Sequence, residues 1–160
     1  MPATSEAADQ PLGYLLYRVG AVLQPAVTAA LRPLGLTLPE LVCMKVLSAW
    51  PGMSNAELAR ANNVSPQAMN NVLLHLQEMD VVTRPASVSS GRALPAQLTR
   101  QGKALLKRAE AAVEGAEEQV LTDLTSAQRR ELKRLLGTIG AAAPTPLELA
   151  ADGRRAARRR

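Results

Sequence analysis

Apolar positions near the start of the chain recur three and four residues apart. Leu12, Leu15, Leu16, Val19, Val22, Leu23, Val27 and Leu31 form one such stripe and predict a long amphipathic helix. Pro25 falls inside it and is expected to kink the helix or break its ladder locally. Gly35 is expected to end it. A second helix is predicted from Thr37, which can cap, with Pro39 tolerated in the first turn and Glu40 where a capping box places its acid. Leu41, Val42, Met44, Val46 and Leu47 continue it, and Trp50-Pro51-Gly52 stops it.

The pattern then shortens. Ser54-Asn55-Ala56-Glu57 is a second capping box and opens a short helix through Ala61. Asn62-Asn63-Val64 makes a tight connection. Ser65 caps a further helix with Pro66 at its first position. Met69, Val72, Leu73, Leu76 and Met79 form its inner stripe, leaving Gln67, Ala68, Asn70, Asn71, Leu74, His75 and Glu78 facing away. Two helices joined by about three residues are a helix-turn-helix. Val81 to Arg84 reads as a short strand, Pro85 to Gly91 as a loop, and Ala93 to Leu98 as a returning strand with Pro95 at an edge position. Strand, polar loop and strand after a helix-turn-helix make a β-wing. Thr99 then caps a long helix with Leu105, Leu106, Ala109, Ala112, Val113, Ala116 and Val120 on one face. Thr125 to Gln128 opens a last helix with Leu132, Leu135, Leu136 and Ile139.

Composition narrows the fold class. Aromatics are 2% of 160 residues, so Leu, Val, Ala and Met must build the core, which suits helices better than a sandwich or barrel. The single cysteine, Cys43, excludes an internal disulfide framework and fits a reducing compartment. Met1 to Gln10 has no Lys or Arg and is no secretory n-region. No uninterrupted run of 18 apolar residues occurs, so no membrane span is expected and a cytoplasmic, nucleoid-associated protein is the default. The net charge of +5 is uneven: residues 1–53 and 54–98 are each neutral, 99–143 carry +2 and 144–160 carry +3. The basic pI therefore belongs to the last helices and the tail, and is weak support for nucleic-acid binding.

The candidate chemistry is recognition, not catalysis. No paired catalytic string and no Gly-rich phosphate loop is visible, one His and one Cys cannot form a closed metal site, and no cofactor is expected. The candidate DNA-binding residues are Ser54, Ser65, Gln67, Ala68, Asn70, Asn71, His75, Arg84 and Arg92. Gln67 and Asn71 carry amides able to read adenine through paired hydrogen bonds, and Arg92 suits insertion into a narrow minor groove. The plain alternatives are a solvated polar face and an ordinary loop arginine. Tyr17, Arg18 and Trp50 are candidate contacts for a small aromatic or phenolic effector, with Arg18 pairing a carboxylate; the alternative is that the aromatics are packing anchors. Cys43 reads either as a peroxide-sensing thiol or as a buried, inert one, and its apolar neighbours favour the second.

Several short strings, in this order, carry a family likeness: Leu34-Gly35-Leu36-Thr37, Ser54-x-x-Glu57-Leu58-Ala59, Val64-Ser65-Pro66-Gln67, Val82-Thr83-Arg84, Gly91-Arg92-Ala93, Leu98-Thr99-x-x-Gly102 and Leu124-Thr125. Together they make residues 12–140 resemble the MarR family of bacterial transcription regulators. The resemblance implies a mainly α fold: a winged helix-turn-helix lobe with a small β-wing, on a helical dimerisation arm formed by N- and C-terminal helices. The corresponding division is a flexible N-terminus 1–11, a dimerisation helix 12–36, a DNA-binding lobe 37–98, C-terminal dimerisation helices 99–143 and a disordered basic tail 144–160. It implies a homodimer on near-palindromic double-stranded DNA and a small-molecule pocket between arm and lobe, hence a repressor relieved by an effector. The chain departs from the resemblance at Asn71 and His75, where members often carry basic residues, and at Ser90, where an acid commonly precedes the wing arginine. Residues 65–79 hold no Lys or Arg, which predicts weaker DNA binding unless the tail compensates. A degenerate protein-interaction module without specific DNA binding is the alternative function.

Overall fold

The computed structural model describes residues 9–84, 95–140 and 143–157. Its first helix, α1 (Leu12–Leu31), runs through Pro25 without interruption and passes into a 3-10 turn at Arg32–Leu34. Pro25 is exposed, so the carbonyl it leaves unpaired opens to water. Gly35 then reverses the chain at φ 69°, a backbone state that costs glycine little.

Side-chain caps set the borders that follow. Thr37 and Glu40 form the expected capping box at the start of α2 (Leu38–Ala49). Ser54 and Glu57 do the same for α3 (Asn55–Ala61), and Ser65 caps α4 (Pro66–Glu78). The wing strands are β1 (Val82–Thr83) and β2 (Gln97–Leu98), antiparallel, with Val82 opposite Leu98 and Thr83 opposite Gln97. They are shorter than the apolar pattern suggests. A further bridge joins Ala96 to Met53, just ahead of α3, so the wing base is tied to the helix-turn-helix on its other side.

The long helix α5 (Arg100–Val120) and then α6 (Ser126–Gly140) follow. The start of α5 sits directly on the end of the helix-turn-helix. Thr99 Oγ1 donates to the Asp80 carbonyl at 2.7 Å, its N–H donates to the Val81 carbonyl at 3.1 Å, and Gln101 Nε2 donates to the Met79 carbonyl at 3.2 Å. A Cβ at Gly102 would lie 2.1 Å from the Val81 carbonyl oxygen, so only glycine fits this approach.

One apolar core joins Leu31 of α1, Met44, Val46 and Leu47 of α2, Leu58 of α3, Met69, Leu73 and Leu76 of α4, and Leu105, Leu106 and Ala109 of α5. The arm is different: α1 lies along α5 but buries only Val27 and Leu31, and α6 buries none of its residues. By length and mean hydropathy, Leu12–Leu34 reaches what a membrane span needs, although no uninterrupted apolar run does. Arg18, Gln24 and Arg32 interrupt it.

The expectation of a disordered tail needs correction. Residues Pro146–Ala157 form a helix, α7, that packs on α3 and α2. Its physical basis is local and tertiary at once. The Thr145 N–H donates to Glu148 Oε2 at 2.7 Å and the Glu148 N–H donates to Thr145 Oγ1 at 3.3 Å, which is a capping box. The Thr145 N–H, and secondarily its hydroxyl at 2.9 Å, donate to the Glu148 carboxylate and hold its pKa below the ordinary value. Ala150 is 2% exposed and Leu149 rests on the core, so the helix buries an apolar edge that composition alone does not reveal.

Candidate nucleic-acid interface

The helix-turn-helix is braced by its own polar side chains. Asn62 Nδ2 donates to the Leu58 carbonyl at 2.8 Å, and Asn63 takes the left-handed conformation at φ 52° that turns the chain. Asn55 Nδ2 donates to the Pro66 carbonyl at 3.0 Å, linking the start of α3 to the start of α4. Ser65 Oγ accepts the Ala68 N–H at 3.1 Å, and Ser54 Oγ accepts the Glu57 N–H at 3.3 Å. Both serine hydroxyls keep a proton to donate, so capping leaves each able to contact a phosphate.

Burial divides α4 cleanly. Met69, Leu73 and Leu76 are enclosed, whereas Ser65, Gln67, Ala68, Asn71, Leu74 and Glu78 are exposed and Asn70 is half-buried. Gln67, Asn71, Leu74 and Glu78 fall on one stripe by helical spacing. Two amides one turn apart, followed by an exposed leucine, offer paired donor–acceptor groups and an apolar contact suited to base edges.

His75 stands apart from that stripe. Its Nδ1 lies 2.5 Å from Glu40 Oε1, while Glu40 Oε2 accepts the Thr37 N–H at 2.6 Å. Glu40 is 6% exposed. One carboxylate thus both caps α2 and holds the side of α4, and His75 has only its other ring nitrogen free. Arg84 is half-buried at the wing base, where its Nη1 donates to Gln77 Oε1 at 3.3 Å, tying β1 to α4. Arg92 lies outside the described residues.

The expected effector residues are not gathered in this chain. Tyr17 is 73% exposed on α1, Arg18 bonds Gln10 at 3.4 Å and lies 6.0 Å from the Tyr14 ring centre, and Trp50 packs against the core at the end of α2. Two cavities of about 470 Å³ each lie elsewhere. One is apolar and sits under α4, walled by Leu38, Pro39, Val42, Val64, Ala68 and Val72. The other lies where α1 meets α2, with Thr28, Arg32, Leu36, Thr37 and Pro39 around it. Sequence reasoning passed over Arg32; its place beside Gly35-Leu36-Thr37, at the joint between arm and lobe, was the available signal.

Cys43 is fully enclosed. Burial, and secondarily the Glu40 charge, push its thiol up to about 12, which makes it inert at neutral pH.

The profile of the MarR family matches residues 36–94, which begin just after the 3-10 turn, take in the helix-turn-helix and β1, and end ahead of β2. The HTH-type transcriptional repressor Rv2887 of Mycobacterium tuberculosis is 63% identical over 134 residues, 84% of this chain and 96% of that protein. The chain belongs to the MarR family. This MarR protein is a winged-helix transcription regulator. Its fold matches the crystal structure of Rv2887 in complex with DNA at a TM-score of 0.75, with 58% identity over 82% of this chain and 99% of the other. It matches Rv2887 in complex with salicylic acid at 0.67, with 63% identity over 84% and 99%. The apo form of Escherichia coli MarR, 21% identical, matches at 0.68 over 81% and 97% and attests the fold alone.

Proposed function

We propose that this chain is a cytoplasmic, sequence-specific repressor that covers a near-palindromic operator as a homodimer and acts by binding, not by catalysis. The observation that carries this reading is the exposed amide stripe of Gln67 and Asn71 on a helix whose opposite side is locked into the core. A helix so held presents its outer side chains in fixed register to a major groove. The homodimer follows from the arm: Leu12, Tyr14, Leu16, Tyr17, Val19 and Val22 of α1 and Leu135, Leu136 and Ile139 of α6 are exposed, an apolar surface that interlocking with a second copy would cover.

Two complexes of one relative guide the ligand class. Rv2887 has been crystallised with salicylic acid and with p-aminosalicylic acid. The cavity beside Arg32 supplies a cation, threonines and apolar walls, a fit for a small aromatic carboxylate. An effector there sits between arm and lobe, where it favours one relative setting of the two over another.

The test is selection of bound genomic fragments by the purified full chain, then titration of the best site with Asn71→Ala and with salicylic acid. The expected result is a site with half-sites about one helical turn, or roughly 10 bp, apart. Asn71→Ala should weaken it by about 5- to 150-fold, the loss of one paired base contact. Enrichment of no sequence by an intact dimer would replace this reading with the protein-interaction module.

A further inference from the structure

From Ser65 to Met79 the recognition helix and its caps carry no lysine or arginine, so His75 is the one side chain there able to become a cation. Its surroundings suit that charge. Nδ1 lies 2.5 Å from Glu40 Oε1; the Glu40 side chain is 8% exposed and the His75 side chain 45%. Glu40 is itself fixed, because its other oxygen accepts the Thr37 N–H at 2.6 Å. The ring is therefore pinned on one edge by a buried carboxylate and open to solvent on the other. Other charged groups on the elements around α4 have contacts of their own. Lys45 of α2 pairs with Glu110 at 3.4 Å, and Glu57 of α3 accepts the Ser54 N–H at 2.7 Å. Arg60 of α3 lines the cleft with α7, and Arg84 of β1 donates to Gln77. Arg32 lies in the cavity with Thr37, and Arg100 and Lys103 at the start of α5 are exposed. On the chain of α4 itself, Glu78 stands about one turn beyond His75 and Asp80 follows, both negative.

Proton placement decides what this ring can hold. A neutral imidazole that gives its Nδ1 proton to Glu40 presents Nε2 as an acceptor, which repels an anionic oxygen; an imidazolium donates from both nitrogens. By helical spacing His75 lies one turn past Asn71, on the flank of the amide stripe nearest α2. A helix seated in the major groove has base edges under its outer stripe and sugar–phosphate backbone along its flanks. We propose that His75, oriented by Glu40, is a proton-linked phosphate contact: its imidazolium bridges the buried carboxylate and a backbone phosphate of the duplex. Two anions then flank one cation, and the ring takes up a proton from solution as DNA binds. Affinity rises as pH falls through neutrality. Glu40 is a positioning residue that acts through the ring it holds. This inference rests on the DNA-binding reading above.

The experiment uses the untagged full chain, in which one histidine gives one imidazole to follow by NMR after isotope labelling. Dissociation constants are measured on the selected duplex and on a random duplex from about pH 8 to about pH 6, the interval around an ordinary histidine titration. Wild-type binding should tighten roughly tenfold per protomer, the weight of one hydrogen bond to a charged group. It should do so on both duplexes, since a phosphate carries no sequence. The ring should keep both protons to a higher pH in the complex than in the free chain. His75→Gln should bind with little pH dependence, and His75→Arg should bind tightly throughout. In Glu40→Gln the amide oxygen can still cap Thr37, which turns the amide NH2 to Nδ1 and leaves Nε2–H a neutral donor; the pH profile should flatten with binding at about pH 8 kept. An equal pH dependence in His75→Gln, or a ring that titrates alike free and bound, overturns the proposal. A wild-type profile in Glu40→Gln overturns the role of Glu40. Dependence confined to the selected duplex replaces the phosphate with a base. Tight, selective but pH-independent wild-type binding sinks this contact and leaves the repressor reading standing, whereas a folded dimer that binds neither duplex at any pH removes both.

Discussion

The lobe and the arm are built from the same few apolar residue types, yet they treat them in opposite ways. In the lobe, α2, α3 and α4 enclose Met44, Leu47, Leu58, Met69, Leu73 and Leu76, and even the wing closes over Val81 and Val82. In the arm, α1 and α6 display leucines, valines and tyrosines; Ile139 is 59% exposed. The difference lies in which partner each stripe needs. The lobe finds its partners within the same chain through short connections, whereas α1 lies mainly along α5 and reaches the lobe only at its C-terminal end, and α6 leans on α5 through polar contacts such as Lys133 to Glu117 at 3.3 Å. The lobe is therefore complete as one copy, and the arm is half of a structure. The same contrast explains why Leu12–Leu34 has the hydropathy of a membrane span: a helix meant to be covered by another protein looks much like one meant to be covered by lipid.

That contrast can be broken most severely inside the lobe. Leu73→Ala removes a fully buried side chain at the centre of the core, and should lower unfolding free energy by about 2–5 kcal/mol in a denaturant titration. In the arm, Leu16→Asp combined with Leu136→Asp places charge on both exposed stripes. Sedimentation equilibrium should then show subunit affinity weakened by at least tenfold or so, as for loss of an interface anchor, while monomer circular dichroism stays helical. Equal loss of lobe structure in that variant would mean that the lobe leans on the dimer after all. The smallest effect sharpens the picture of a dry lobe. Because the folded Cys43 thiol is pushed up to about 12 from an ordinary 9.0, it stays protonated while the unfolded chain's thiol ionises. This group therefore costs no stability below about pH 9 and progressively removes stability between pH 9 and 12, a loss that Cys43→Ala should abolish. A thiol reagent at pH 8 should leave the native protein unlabelled.

Features written in neighbouring residues were legible from sequence. The boxes Thr37–Glu40 and Ser54–Glu57, the cap at Ser65 and the Thr125–Gln128 pair are all formed, because each needs only residues three apart. The amide stripe followed equally from helical period. Contacts between distant segments were not legible. Nothing near His75 announces Glu40, which lies 35 residues away and draws the imidazole towards α2. Arg32 gains meaning only once α1 and α2 enclose a cavity. In the tail, Thr145-x-x-Glu148 was as readable as the other boxes, but the Ala and Arg content around it hid a helix whose apolar edge is narrow and depends on α3 for burial. Pro25 marks the opposite limit: a rule about helix interiors yields where the affected turn faces water.

The bare meeting of Gly102 with the Val81 carbonyl has a mechanical consequence. Most helix joints are cushioned by side chains that can repack, so a small displacement on one side is spent before it reaches the other. Here backbone meets backbone, with Thr99 and Gln101 pinned to the last residues after α4. The joint behaves as a pivot without play. α5, at 21 residues, is a rod about 30 Å long, so a displacement of about 5 Å at its far end corresponds to a turn of about 10° at the pivot. A rearrangement at the distant end of the arm is therefore geared down, and delivered as a small, definite rotation of the helix that reads the groove.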